Sequence, residues 1–220
     1  METLLGKLFW NVEHYVKESK TNASEPFKNL HSRISSLGKQ SNTGWSGMII
    51  MKDNQVLRAK LRVIGEKLDS AGVCWALFAG AAASCYGSKR DVTDLDVLVK
   101  EEDFGKTREA LKGIVGLDVA GCLKLNVADG AYSFFMDEEM VERIKLKQLL
   151  SVNVPVVPVE DNILFKAILQ RGEAENKFDV EDIRDMVNHE KIDAAYLKRR
   201  MEKYGAEERV TLLLNNLGVF

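Results

Sequence analysis

The chain has 220 residues, 45% of them hydrophobic and 29% charged, ordinary values for a globular protein with a core that needs no metal or disulfide staple. Its net charge of -2 lacks the basic excess of a nucleic-acid binder, so RNA binding through basic segments is disfavoured; a small anionic substrate held through a metal remains compatible. The three cysteines, Cys74, Cys85 and Cys122, form no CxxC pair and lie in apolar or small-residue stretches, so they read as reduced, buried thiols. No signal-peptide pattern and no apolar run of about 18 residues is visible, so the expectation is a cytoplasmic protein that does not cross a membrane.

In chain order, residues 2–19 place Leu4, Leu5, Leu8, Phe9, Val12, Tyr15 and Val16 at helical spacing. Residues 35–47, SSLGKQSNTGWSG, read as a linker, so 1–54 is an N-terminal helical extension. A helix is predicted over 55–71, with Leu57, Leu61, Ile64 and Leu68 on one face and Gly72 closing it. Val73–Phe78 reads as a buried strand, Gly80–Tyr86 as a short small-residue helix start, and Gly87–Asp91 as a loop. A second strand is predicted at Leu95–Val99 and a helix from Asp103 to about Val115. Alternating runs at 123–128 and 131–136 around Asp129–Gly130 signal a hairpin. A basic helix is predicted at 138–150. Pro155 and Pro158 make 154–159 extended, and three helices follow at 160–171, 178–189 and 193–215. This order argues for an α/β core over 55–159 with a C-terminal helical region over 160–220.

Asp94 and Asp96 carry the chemistry. Residues two apart in a strand share a face, so both carboxylates point one way while Leu95, Val97 and Val99 point the other. Two adjacent carboxylates repel unless a cation neutralises them. Mg2+, or Mn2+, suits such oxygen ligands, taking carboxylates together with substrate phosphates. Upstream, Gly80 and Ala81 are small enough to let a phosphate approach the backbone, Ser88 falls in the following loop, and Arg90 offers a bidentate fork. Lys166, among Ile163, Leu164, Ala167 and Ile168, reads as a lysine snorkelling from a helix edge. His14, His31 and His189 show neither zinc nor catalytic spacing. Neither a dinucleotide fingerprint, a P-loop nor a G-x-S-x-G elbow occurs.

The compound pattern of apolar strand, Gly80-Ala81, short helix, Gly87, Arg90, then Asp94-Leu95-Asp96 resembles the polymerase-β-type nucleotidyltransferase superfamily. The nearest likeness is to its small stand-alone members, including those of toxin–antitoxin systems. Downstream, Lys166, Arg171, Lys177, Asp179 and Asp182 fall where such proteins end, so the likeness spans roughly residues 58–190. It implies a nucleotidyltransferase-type mixed sheet with flanking helices. The implied function is transfer of a nucleotidyl group from an NTP to a hydroxyl acceptor on RNA or protein. Asp94 and Asp96 would hold the metal; Gly80, Ala81, Ser88, Arg90 and Lys166 would serve the substrate. The chain departs in two places. Val92 stands where many members have Thr, and the strand expected to bring a third carboxylate, Ala131–Met136, contains no acid. Asp129, Asp137 and Glu138, beside that strand, are the candidates. A chain lacking the third acid would instead be a degenerate nucleotide-binding or protein-binding module in a toxin–antitoxin pair, and an oligomer is compatible with either reading.

Overall fold

The structure is a computed structural model describing residues 46–175 and 177–220, with backbone alone for 46–53. The expected helix at 2–19, and the linker up to residue 45, lie outside the described residues. By internal contacts the chain forms two units. The smaller comprises Met1–Lys52 with Lys112–Val115, of which 46–52 are helical and 112–115 form a turn. The larger, Asp53–Leu111 with Gly116–Phe220, carries the features developed below.

The chain is mixed α/β. Helix α1 (Ser46–Ser70) leads into β1 (Trp75–Phe78), α2 (Ala79–Cys85) and β2 (Leu95–Val99). A single 3-10 turn and α3 (Phe104–Ala110) precede β3 (Leu117–Ala120), β4 (Cys122–Val127) and β5 (Gly130–Phe135). Then come α4 (Glu138–Val141), β6 (Lys145–Leu149), β7 (Val152–Val156), α5 (Val159–Leu169), α6 (Asp179–His189), α7 (Ala194–Tyr204) and α8 (Glu207–Asn216). Five strands form a mixed sheet in the order β3-β2-β1-β7-β6, and β4-β5 is a separate two-stranded sheet.

The sheet takes its two faces from strand alternation. Trp75 and Leu77 point to one side, where Trp75 donates from its indole to Asp69 of α1 at 3.0 Å. Phe78 points to the other, where it meets Phe165 of α5 edge-on, ring centroids 5.4 Å apart. Phe165 in turn meets Phe134 of β5, and Phe134 stacks on Tyr204 of α7. This aromatic column joins the main sheet, the small sheet and the C-terminal helices. Each contact of this kind adds roughly 0.5–1.5 kcal/mol beyond area burial.

Several expectations are corrected. The basic helix at 138–150 is helical only over Glu138–Val141; Lys145–Leu149 is an edge strand antiparallel to β7. Exposed Lys145 guards an edge that would otherwise invite pairing, while half-buried Lys147 pairs with Glu190. The turn joining the two strands, Leu150–Ser151, has φ of 50° and 61° at residues that rarely adopt it, so no Gly or Asn announced it. Leu117–Ala120, where no element was expected, is a strand parallel to β2. The helix expected to begin at 55 starts at Ser46, and 193–215 is two helices broken where Gly205 caps α7 in the left-handed conformation, φ 62°. The three cysteines are free, as expected, but half-buried rather than buried. No helix among the described residues is long and apolar enough to cross a membrane.

Candidate functional site

The site begins with strand register. β2 runs antiparallel to β1, with Phe78 opposite Asp96, and parallel to β3, with Asp96 beside Asp118. Register neighbours share a face, and adjacent strands lie about 4.8 Å apart. Asp96 and Asp118 therefore project side by side, and Asp94, just before β2, is near enough for its charge to act on Asp96. One step further along the same face stand Ala76 and Leu98, both fully buried. The face is thus acidic at one end and apolar at the other.

Asp94 and Asp118 are exposed and Asp96 is half-buried. Thr93 donates to Asp94 at 3.3 Å; among the described residues Asp96 and Asp118 accept no hydrogen bond and form no ion pair. Burial, then the charges of Asp118 and Asp94, push the Asp96 carboxyl up to about 6, against the pull of Lys177 and Lys166. The raising causes thus outweigh the two lysines at Asp96. Among the described residues no three His, Cys, Asp or Glu side chains form a ready-made metal cage. The donor set nonetheless fits Mg2+ chemistry, which uses one or two carboxylates completed by water and phosphate oxygens rather than an all-protein cage.

The expected third acids are elsewhere. The strand expected to supply one lies in the small sheet, outside the five-stranded sheet that carries Asp96. Asp129 pairs with Arg209. Asp137 caps α4 through the Met140 N–H at 2.8 Å and binds Arg200 and Lys203, both at 2.6 Å. Glu138 pairs with Lys100. The acid that stands beside Asp96 is Asp118, which sequence reasoning missed. A signal was present: Leu95-Asp96-Val97 recurs as Leu117-Asp118-Val119.

The remaining candidates gather around α6. Asp182, 2% exposed, accepts from Ser88 Oγ at 2.7 Å, from Lys166 Nζ at 2.8 Å and from Arg90 at 3.3 Å. Arg90 also lies over the Phe178 ring, 4.4 Å from its centroid. Asp179 accepts from Lys166 Nζ at 3.1 Å and from the Arg171 side chain at 2.9 Å. Burial opposes ionisation of Asp179, but the Arg171 hydrogen bonds and the Lys166 charge hold its carboxyl below the usual range. Lys166 is 3% exposed, so it does not snorkel; it is a buried cation shared by two carboxylates. Gly87 lets the Ser88 loop dock here. Its φ is 103°, and a Cβ would sit 2.4 Å from His189 Cγ.

Gly80 and Ala81 are the second and third residues of α2, which opens at Ala79 directly after Phe78. A Cβ at Gly80 would meet nothing within 4 Å, so its backbone faces open space. Ala81 is fully buried, backbone included, so of the expected pair only Gly80 presents an open backbone. Ser88, Arg90 and Lys166 therefore form one group through Asp182, while Asp94 and Asp96 form another with Asp118. The charges of Lys166 and Lys177 act on Asp96 across the space between.

Residues 120–218, a little under half of the chain, match a family model described as "Nucleotidyl transferase of unknown function (DUF2204)". The matched stretch contains Lys166, Arg171, Asp179 and Asp182 and begins after Asp94, Asp96 and Asp118. No curated protein matches the chain.

Proposed function

We propose that the chain transfers a nucleotidyl group from an NTP to a hydroxyl acceptor on RNA or protein, with Mg2+ or Mn2+. The observation that carries this reading is the pair Asp96 and Asp118, side by side on neighbouring strands, with Asp94 just before β2 and no ion pair to any of the three among the described residues. Of the three, half-buried Asp96 is the one whose ionisation its surroundings oppose, and an outside cation would relieve that. When bound, the metal would supply charge neutralisation at the triphosphate and lower the pKa of the attacking hydroxyl. Asp94 and Asp96 would hold it, and Asp118 would stand toward the acceptor. The open backbone at Gly80 allows phosphate oxygens to approach. Arg90, 42% exposed at its side chain, can exchange part of its contact with Asp182 for a phosphate. The similarity of residues 120–218 to a nucleotidyl transferase family supports the same reaction class.

A second reading is favoured by one observation. Ser88, Arg90 and Lys166 all bind Asp182, so the groups expected at the phosphates already have partners. A nucleotide-binding module without transfer, of the kind found in a toxin–antitoxin pair, would keep them so. The test is a thermal-shift screen of each NTP with and without Mg2+, followed by labelled-NTP transfer to RNA and protein acceptors. Transfer is expected to need the metal and to fall at least a hundredfold in Asp96→Asn and Asp118→Asn. Binding without transfer to any acceptor would select the module; no metal-dependent shift with any NTP would sink both.

A further inference from the structure

Asn162 is fully buried in the first turn of α5, yet half of its amide is idle. Its Nδ2 donates to the Ala79 carbonyl at 3.1 Å and lies 3.4 Å from Met186 Sδ. Its Oδ1 is buried without a hydrogen-bond partner among the described residues. A buried polar atom left unpaired is unfavourable, and an apolar residue between Asp161 and the core residue Ile163 would avoid that penalty. Stability alone therefore does not account for an asparagine here.

What the amide grips is unusual. Ala79 has φ 54°, the left-handed region, which a residue with a Cβ enters only at a cost. Other non-glycine residues with positive φ have local reasons. Leu150 and Ser151 form a hairpin turn, and Gln170 caps α5. Ala79 is instead a buried residue at a strand-to-helix junction. It follows Phe78, the register partner of Asp96, and precedes Gly80, whose backbone is open. Strain retained in such a place needs a neighbour that over-determines it, and Asn162 reaches in from a different element to do so.

We propose that Asn162 is a positioning residue for the Ala79–Gly80 turn. Its hydrogen bond locks the left-handed peptide and so fixes where the Gly80 backbone stands relative to Asp96 and an incoming triphosphate. The proposal rests on the nucleotidyl-transfer reading for its consequence, but its geometry can be tested separately.

The test compares wild type, Asn162→Leu, Asn162→Ala, Ala79→Gly and the double variants by amide hydrogen exchange at residues 79–82. Mg2+-NTP affinity is measured alongside, using the nucleotide that gives the largest wild-type shift. Loss of the amide is expected to speed exchange at Gly80 and Ala81 at least tenfold and to weaken NTP affinity about tenfold. Adding Ala79→Gly, which adopts this φ freely, is expected to restore most of both. A purely structural asparagine would lower overall stability without changing local exchange, and Ala79→Gly would rescue nothing; either result overturns the proposal. If Asn162→Leu does not fold, Asn162→Ala carries the comparison. Should wild type bind no nucleotide, the function reading falls, while the exchange and rescue data still decide the positioning role.

Discussion

Two regions treat aspartates in opposite ways. On β2 and β3, Asp96 and Asp118 stand side by side with no cation against them among the described residues. In the helical layer every buried acid is partnered. Asp161 binds Arg200 at 2.6 Å, Asp182 binds Lys166 and Arg90, and Asp179 binds Lys166 and Arg171. The first turn of α5 shows how far this goes. Glu160 accepts from the Asp193 backbone, Asp161 from Tyr196 and Arg200, and Asn162 donates to Ala79. Three consecutive polar residues thus fasten α5 to α7 and to the start of α2. The buried acids of the helical layer each have a cation or a hydrogen-bond donor, while the more exposed acids at the sheet have no cation partner among the described residues.

The contrast breaks first, if at all, at Arg200. Its side chain is fully buried between Asp161 and Asp137, so Arg200→Ala strands Asp161, while Asp137 keeps Lys203, and is expected to cost about 3–5 kcal/mol in urea denaturation. A loss under about 1 kcal/mol would show that the pairing is not structural.

The pH dependence sharpens the contrast between Asp96 and Asp179, which shift in opposite directions, although burial also pushes Asp161 of the helical layer up to about 6. Asp96, raised to about 6 when folded, keeps its proton between about pH 4 and pH 6 while the unfolded chain gives its proton up. Stability therefore falls as pH rises through that window and stays lower above it. In metal-free protein, Asp96→Asn is expected to gain on the order of 2 kcal/mol at pH 7.5, after discounting for partial exposure, and nothing at pH 3.5. Asp179 is held below the usual range, so its contribution is full above about pH 4 and is lost as pH falls through its depressed folded value. Asp179→Asn should accordingly destabilise at pH 7.5 and matter least in acid. Urea melts across pH decide the matter; slopes of the same sign would refute the division. Mg2+ should raise the melting temperature of wild type and leave that of Asp96→Asn unmoved.

Smaller effects test the seam between the regions. Gly87→Ala is expected to cost about 1–3 kcal/mol, since its Cβ would overlap His189 and push Ser88 off Asp182. Arg90→Ala should cost under about 1 kcal/mol in a melt because its side chain is 42% exposed. The same variant should weaken NTP binding more than its stability loss would suggest.

Much of the sheet was legible in the sequence because strand alternation is local. Leu95–Val99 and the Asp129–Gly130 hairpin follow from period-two patterns, and Asp94 with Asp96 follows from the same rule. Asp118 escaped because its strand has four residues bracketed by Gly116 and Gly121, too short to show a period. β6 escaped because lysines on an edge strand resemble those on a helix face. Gly205 was a visible stop signal, overridden by the apolar periodicity on either side of it. The partnered acids were hidden for a different reason. Glu160 and Asp161 look like dipole-favouring residues at a helix start, and nothing near them in sequence points to Arg200, 39 residues away.

That last pairing has a consequence for how the protein is made. A ribosome releases β1, β2 and β3 long before β7, which must insert beside β1 to complete the sheet, pairing Leu77 with Val156. Even then Asp161 lacks its counter-charge until Arg200 emerges. The nascent sheet is therefore left open along one side of β1, with an acid waiting, for most of synthesis. Such non-local closure is slow and aggregation-exposed, so yield in expression should track chaperone supply and translation speed more closely than equilibrium stability would suggest.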